Sequence, residues 1–406
     1  MAIRHFILTI YLVTIILACQ YEYRKPKLNK MSIESTSLSH IGTIDIPTTS
    51  TSAELSDIYY HNHLEETLMA ILNSYELTVD FVSFEEAPVL KKSFKLPLEG
   101  PNGMQAADSY LSIIITCPDH QLLIWNNATR SFYKYDMNGT LLKKYHLGNF
   151  PQGVLPSVQA TVPAISTEEG KYIISLWLEN PSSPDFTNEP AVGLMELESD
   201  NTAFSLTKTL LDFPDVYKLG FWSFAPFKYT PYLCQIDSLH IFVSFPVDEY
   251  VRKLKVKEGQ ITASSKIIHP EVETPMPMFD YSFLENLYHG IIAKPSFEEN
   301  AQYALTNSDY SIVVQVSDKH FARVSNIRPN LPKYKSGVTF PDYGVTLFDH
   351  ELNILGDTIF SHGAYSFEKS FYKKNNGLHV LNMERTAEVD GYLSFDIFTT
   401  KVSANQ

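Results

Sequence analysis

Cysteine is scarce in this sequence, with three residues among 406. Cys19 lies near the N-terminus, while Cys117 and Cys234 are far apart and each adjoins an apolar run. So few cysteines exclude a disulfide-stapled scaffold and a zinc site with four cysteine ligands. We therefore expect Cys117 and Cys234 to be buried free thiols.

Positive charge is also in short supply. The chain has 32 lysine and arginine residues against 46 acidic residues, which gives a formal net charge of -14, and no basic run stands out. Because such a chain repels a phosphate backbone, the sequence predicts no nucleic-acid partner. The motifs G-x-S-x-G, G-x-x-x-x-G-K-[ST], G-x-G-x-x-G and H-E-x-x-H are missing as well, and no cofactor is predicted.

The apolar run near the N-terminus, residues 6–17, is shorter than the about 20 residues that a membrane-spanning helix needs. It follows Arg4 and precedes the small residue Ala18. A charged start, a short apolar run and a small residue are typical of a cleaved signal peptide. The sequence therefore predicts a signal peptide over residues 1–18.

Cys19 gives this segment a second feature. Residues 16–19, Ile-Leu-Ala-Cys, resemble the bacterial lipobox, in which cleavage precedes the cysteine and its thiol carries lipid. The alternative is a plain signal peptide followed by an incidental cysteine. Residues 19–40 are polar and without pattern, so we expect a lipidated cysteine and a flexible tether there, followed by one folded domain over residues 41–406.

What the chain does contain is a series of short apolar runs separated by Asn, Asp, Gly and Pro. They are rich in β-branched and aromatic residues, and alternation or full burial describes them better than a helical period does. Examples are residues 67–73, 111–116, 171–178, 239–245 and 311–316. This pattern predicts an all-β protein.

One unit of four strands recurs along the chain. Its third strand is recognisable in six places, residues 77–84, 131–135, 191–197, 250–256, 343–348 and 392–398. The spacing is roughly 50 to 60 residues, except for one gap of about 90 that would hold a long insertion. Six such units predict a six-bladed β-propeller of four-stranded blades, and the rival architecture is a pair of β-sandwich domains.

The last of these units lacks an outer strand. Residues 41–47, with Ile44 and Ile46 alternating, lie ahead of the first complete unit and could supply it. Pairing the two ends of the chain in one blade would cover an exposed edge. We therefore expect a ring closed by an N-terminal strand that joins the last blade.

Four segments together resemble a known family. The lipobox, GPNG at 100–103, SDKHFARV at 317–324 and VTLFDHELNILGD at 345–357 are similar to those of a family of Bacteroidetes lipoproteins. The resemblance covers most of residues 40 to 400. It implies a TolB-like six-bladed propeller and no established function, so no catalytic residue is carried over.

Two predicted links between neighbouring blades are unusually aromatic, residues 221–232 and 275–283. Rings on proline-stiffened loops are suited to binding sugars or peptides. The candidate ligand-binding residues are Trp222, Phe224, Phe227, Tyr229, Phe279 and Tyr281. The alternative is that these rings pack between blades, and a mixture within each loop is expected.

One segment has spacing that could suit a metal. His61 and His63 would share one face of a strand, near Asp57, Glu65 and Glu66, but the pattern fixes no third ligand. A solvated polar loop is the preferred interpretation, so no metal site is predicted. Two hypotheses follow for function: a non-enzymatic binding or scaffold module for a glycan, peptide or envelope protein, or a propeller enzyme such as a metal-assisted lactone hydrolase or lyase.

The residues after Cys19 bear on location. Residues 20–27 contain one acid and three bases, whereas surface-exported lipoproteins of the resembling group tend to carry acidic residues there. We therefore expect a lipoprotein held in the outer membrane by its lipid anchor, with the periplasmic face favoured over the cell surface.

The lipid anchor is directly testable. We expect Cys19→Ser to abolish incorporation of labelled fatty acid and to move the protein out of the membrane fraction, because the thiol that carries the lipid is gone. Fractionation and radiolabelling of cells expressing either form measure both effects. Unchanged labelling and membrane association would contradict the lipoprotein prediction.

Overall fold

A computed structural model describes most of the chain: residues 35–50, 56–62, 67–84, 87–100, 102–104, 111–116, 121–158, 164–167, 169–178, 188–361 and 363–403. Cys19, with the predicted signal peptide and most of the predicted tether, lies outside these residues, so those expectations stay predictions. Within the described ranges, no helix is long and apolar enough to cross a membrane.

The described residues are all-β, as predicted, with four short α-helices and two 3-10 helices. The strands pair antiparallel in six sets, five of four strands and one of five. The first set is β2 (Asp57–Asn62), β3 (Thr67–Asn73), β4 (Thr78–Ser83) and β5 (Val89–Lys95). The second set is β6 (Leu111–Thr116), β7 (Gln121–Asn126), β8 (Ser131–Tyr135) and β9 (Leu141–Leu147).

The third set begins with two short strands that both pair with the next one. It contains β10 (Val154–Ser157), β11 (Ile165–Ser166), β12 (Tyr172–Leu178), β13 (Pro190–Leu197) and β14 (Ala203–Asp212). A short parallel contact between β9 and β14 joins the second and third sets into one curled sheet. The fourth set is β16 (Tyr232–Gln235), β17 (His240–Ser244), β18 (Tyr250–Lys255) and β19 (Gln260–Lys266).

The fifth set is β21 (Asp309–Gln315), β22 (His320–Ile327), β23 (Asp342–Asp349) and β24 (Ile354–Phe360). The sixth is β25 (Tyr365–Lys373), β26 (Gly377–Asn382), β27 (Tyr392–Ser403) and β1 (Ser35–Pro47). The remaining elements are β15 (Gly220–Phe221), β20 (Phe279–Asp280), α1 (Tyr281–Tyr288), α2 (Phe297–Thr306), α3 (Leu331–Lys335), α4 (Met383–Glu388) and 3-10 helices at Asp215–Leu219 and Pro226–Lys228. All six segments that the sequence marked as third strands occupy that position.

The N-terminal strand completes the last set, as expected. β1 pairs antiparallel with β27 from Ser35 opposite Ser403 to Pro47 opposite Tyr392. Its start corrects the predicted boundary: residues 35–40, assigned to the tether, belong to the strand. Their serine and threonine content hides the apolar alternation that marks residues 41–47.

Neighbouring sets pack face to face. On β3, Leu68, Ala70 and Leu72 contact the second set, whereas Met69 and Ile71 lie in a cluster with residues of the sixth set. The two faces of a strand thus bury against different neighbours, as side-chain alternation requires. A sandwich buries one face of each sheet and leaves the other in water, so the pair of β-sandwich domains does not fit.

The connection after β1 is fixed to the first set. The Asp80 carboxylate on β4 accepts hydrogen bonds from the Thr48 hydroxyl at 2.7 Å and from the Thr49 backbone and hydroxyl at 2.6 and 2.7 Å. Asp80 is buried, so its desolvation is offset by these three donors. The sixth and first sets are therefore joined by polar as well as apolar contacts.

The segments that carried the family resemblance have structural roles. Arg323, in SDKHFARV, is fully buried between the fourth and fifth sets, where its guanidinium donates to the Ser244 hydroxyl and to four backbone carbonyls. Asp349, in VTLFDHELNILGD, caps the turn between β23 and β24 by accepting from the backbone of Glu351 and Asn353.

The pairing of β1 predicts a matched difference between two isoleucines on the same strand. Ile46 is fully buried against Leu393 and Phe395, while Ile41 is 56% exposed. We expect Ile46→Ala to lower the free energy of unfolding by about 2–5 kcal/mol, the usual range for a buried isoleucine, and Ile41→Ala to change it by less than about 0.5 kcal/mol. Urea denaturation of both variants measures this, and equal losses would contradict the observed register.

Candidate functional site

The structure brings the two aromatic links together. β15 in the first link pairs antiparallel with β20 in the second, and the Met278 backbone N–H donates to the Phe221 carbonyl at 2.8 Å. A Cβ at Gly220 would lie 2.0 Å from the Phe279 carbonyl oxygen, so only glycine allows this approach. We call residues 220–232 and 275–283 the aromatic platform.

Helix α2 holds the platform in place. Its Asn300 side chain accepts from the Ser223 hydroxyl at 3.0 Å and from the Phe224 backbone at 3.1 Å. Ser223 is buried and has a φ of 78°, a left-handed conformation that a non-glycine residue adopts only when its surroundings enforce it. The helix itself begins with a reciprocal capping box between Ser296 and Glu299.

The six candidate residues differ in how deeply their side chains are buried. Trp222 and Tyr229 are buried, and the Trp222 backbone N–H donates to the Tyr229 hydroxyl at 3.2 Å. Both are core residues in this structure, so they are removed from the candidate ligand contacts. Phe224 and Phe279 are half-buried, and Phe227 and Tyr281 are exposed. The expected mixture of packing and surface residues is therefore found.

A buried ion network supports the exposed ring of Phe227. The Lys228 ammonium, with no exposed surface, donates to the Asp309 carboxylate at 2.6 Å, and the Arg328 guanidinium donates to the same oxygen at 3.0 Å. Burial alone would raise the pKa of Asp309, but the two cations hold that pKa below its usual range. Both cations also lie about 5.5 Å from the Phe227 ring centroid.

A cavity of about 270 Å³ lies where the first strands of all six sets meet. Each set contributes an apolar residue to its walls: Ile58, Ile113, Ile165, Leu233, Val313 and Phe371. Polar residues, among them Gln235, Gln315 and Glu368, lie between them. We call this space the inter-sheet cavity. No local sequence pattern predicts this cavity, because it is built from strands throughout the chain.

Glu368 brings a carboxyl group into the inter-sheet cavity. The pairing of β25 passes from Ser366 opposite Leu381 to Phe371 opposite His379, so β25 bulges between these points. Bulges redirect side chains and are common beside functional sites. The Glu368 side chain is accessible from the cavity, yet protein surrounds it, and this burial raises its pKa. Repulsion from Asp309 adds to the effect.

The remaining candidates offer less chemistry. Cys234 is a buried free thiol, as predicted, and burial raises its pKa to about 12, so it is not a thiolate at neutral pH. Cys117, His63, Glu65 and Glu66 lie outside the described residues, as does the side chain of His61. Among the residues that are described, no group of three or more His, Cys, Asp or Glu side chains could hold a metal ion.

Comparison with known proteins adds information on the fold. No family model matches the sequence, and no curated protein matches it either. A solved structure of a DUF4221 family member from Bacteroides vulgatus ATCC 8482 is similar, with a TM-score of 0.72, 14% identity and coverage of 91% of this chain and 99% of that chain. A protein from Bacteroides fragilis NCTC 9343 matches with a TM-score of 0.50, 11% identity and coverage of 93% and 98%.

At these identities the similarity shows a shared fold and says nothing about activity. It is consistent with the expected resemblance to Bacteroidetes proteins of unknown function, and it does not test whether the fold is a TolB-like propeller.

The raised pKa of Glu368 predicts a stabilising substitution. A carboxyl group that binds its proton more tightly in the folded state destabilises the fold once pH exceeds its unfolded pKa of about 4.3. The penalty grows until pH passes the folded pKa and is constant above it. Glu368→Gln should therefore raise the urea midpoint at pH 7, and the difference from wild type should vanish below about pH 4.

The matched control is Glu351→Gln, which replaces an exposed carboxylate in the turn after β23 and should leave the midpoint unchanged. A loss of stability in Glu368→Gln at pH 7 would show that the ionised carboxylate is well paired in the fold, and it would contradict a raised pKa for Glu368.

Proposed function

We propose that this protein is a membrane-anchored lipoprotein whose folded domain is a closed six-bladed β-propeller that binds a ligand without transforming it. Three observations support closure: β1 completes the sixth set, the sixth set packs on the first, and the first strands of all six sets line one cavity. Radial repetition with a shared last blade leaves only short, covered edges.

The aromatic platform is the proposed binding surface, and the observation that carries this is the exposed Phe227 ring above the ion network. The ion pair of Lys228 and Asp309 is almost fully buried and holds the backbone next to the ring. A ring held in this way loses little conformational freedom when a ligand binds. The platform also carries Phe224 and Tyr281, and such rings suit the apolar face of a sugar or a side chain of an extended peptide.

The proposed ligand is a glycan or peptide of the cell envelope, and the proposed location is the periplasmic face of the outer membrane. Protease added to intact cells should then leave the domain uncut. An enzyme that uses the same face, such as a metal-assisted lactone hydrolase or lyase, is the alternative. A stoichiometric divalent ion that survives dialysis of the purified protein would favour that alternative.

The binding surface is tested by arrays of envelope glycans and peptides. We expect Phe227→Ala to weaken capture of any bound ligand by about tenfold or more, as for central aromatic contacts, while the melting temperature stays the same. The control is Tyr75→Ala, which removes a ring that is 83% exposed in the turn between β3 and β4. Equal capture by wild type and Phe227→Ala would contradict the assignment of the platform.

A further inference from the structure

The inter-sheet cavity has the form of a small-ligand site that is separate from the aromatic platform. Isoleucine, leucine and valine residues in its lining alternate with polar ones such as Gln235 and Gln315, and the Tyr60 and Phe371 rings in the lining stack with centroids 4.5 Å apart. Apolar walls with a few fixed polar groups are characteristic of sites that enclose small molecules. The volume of about 270 Å³ restricts the occupant to a small one.

The β25 bulge supplies the charged group that such an occupant would meet. Glu368 lies on this bulge, is the charged residue of the cavity lining, and its side chain is exposed there. Its position comes from a local departure from regular strand pairing.

The charges around Glu368 leave its carboxylate incompletely neutralised. The groups that act on it or lie beside it are Asp57 on β2, Tyr232 on β16, Asp309 on β21, Arg328 after β22, Tyr343 on β23 and Lys369 on β25. Arg328 already donates to Asp309 at 3.0 Å. Lys369 is shared, because it attracts the carboxylate of Asp57 as well as that of Glu368.

We propose that the inter-sheet cavity binds a small amphipathic cation, with an ammonium group against the Glu368 carboxylate and an apolar body among the isoleucines and the Tyr60 and Phe371 rings. An ammonium supplies both a positive charge and several N–H donors, whereas it needs no acceptor. The ring faces nearby favour a cation further. This site goes beyond the proposed function, and either can fail while the other holds.

Phenethylammonium is the probe, with phenethyl alcohol as its neutral counterpart and phenylacetate as its anionic counterpart. Calorimetry on the folded protein at pH 7 should show that the ammonium binds about tenfold or more tightly than the alcohol, since a hydrogen bond to a charged group is the stronger kind, and that phenylacetate does not bind. Affinity for the ammonium should fall as pH drops, because protonation removes the carboxylate charge.

Three variants separate the contributions. Glu368→Gln should lose the preference for the ammonium over the alcohol while remaining folded, and Ala164→Phe, which fills part of the cavity, should weaken both ligands. Glu351→Gln should bind the ammonium as wild type does. Failure of phenethylammonium to bind, or equal binding of the ammonium and the alcohol to wild type, would overturn the proposal. An unchanged preference in Glu368→Gln would overturn it too.

Discussion

The pairing of β1 with β27 is the constraint on which the rest of the structure depends. It supplies the fourth strand of the sixth set and buries Ile46 in the cluster shared with the first set. It also delivers Thr48 and Thr49 to the buried Asp80 carboxylate on β4. Without β1, one strand edge would be open and two sets would lose their connection. The inter-sheet cavity needs all six first strands in place, so it depends on the same pairing.

Much of this architecture could be predicted from the sequence, because each strand has a recognisable pattern in its own few residues. Short runs of β-branched and aromatic residues, such as residues 77–84 and 250–256, lie on the third strands β4 and β18. The alternation of Ile44 and Ile46 was enough to place residues 41–47 in a strand. It was not enough to find the start at Ser35, because backbone pairing with β27 continues where the side chains are polar.

The helices of the long insertion were harder to predict. A glycine disfavours a helix interior, but α1 begins at an Asp280 N-cap and ends at Tyr288, before Gly290. The capping box of Ser296 and Glu299 was present in the sequence as a readable signal for α2. Each helix is short and buries few residues, Leu284 and Leu287 in α1 and Ala304 in α2, so helical periodicity was a weak signal.

The candidate sites could be predicted from the sequence only in part. The two aromatic links were identified, and the structure pairs them. The burial of individual rings could not be predicted, because Trp222 and Phe224 are both aromatic residues of one loop and only tertiary packing buries the first. The partners of the ion network, Lys228, Asp309 and Arg328, are distant in sequence, and no spacing rule connects them. Glu368 depends on a bulge that leaves no mark in the local pattern.

Glu368 and Ser223 are both unfavourable locally. Glu368 is a carboxyl group whose ionised form the fold disfavours, and Ser223 has a left-handed backbone conformation. Natural proteins retain such exceptions mainly where function needs them.

Hydrogen exchange tests the role of β1 most directly. If β1 is an integral strand of the fold, its bonded amides over residues 42–47 should exchange only through global unfolding. They should then show the same free energy of opening as the amides of β17 and β22 in the fourth and fifth sets. Exchange of the β1 amides at a much lower free energy, while β17 and β22 stay protected, would show that β1 detaches from an otherwise intact fold and would contradict the account.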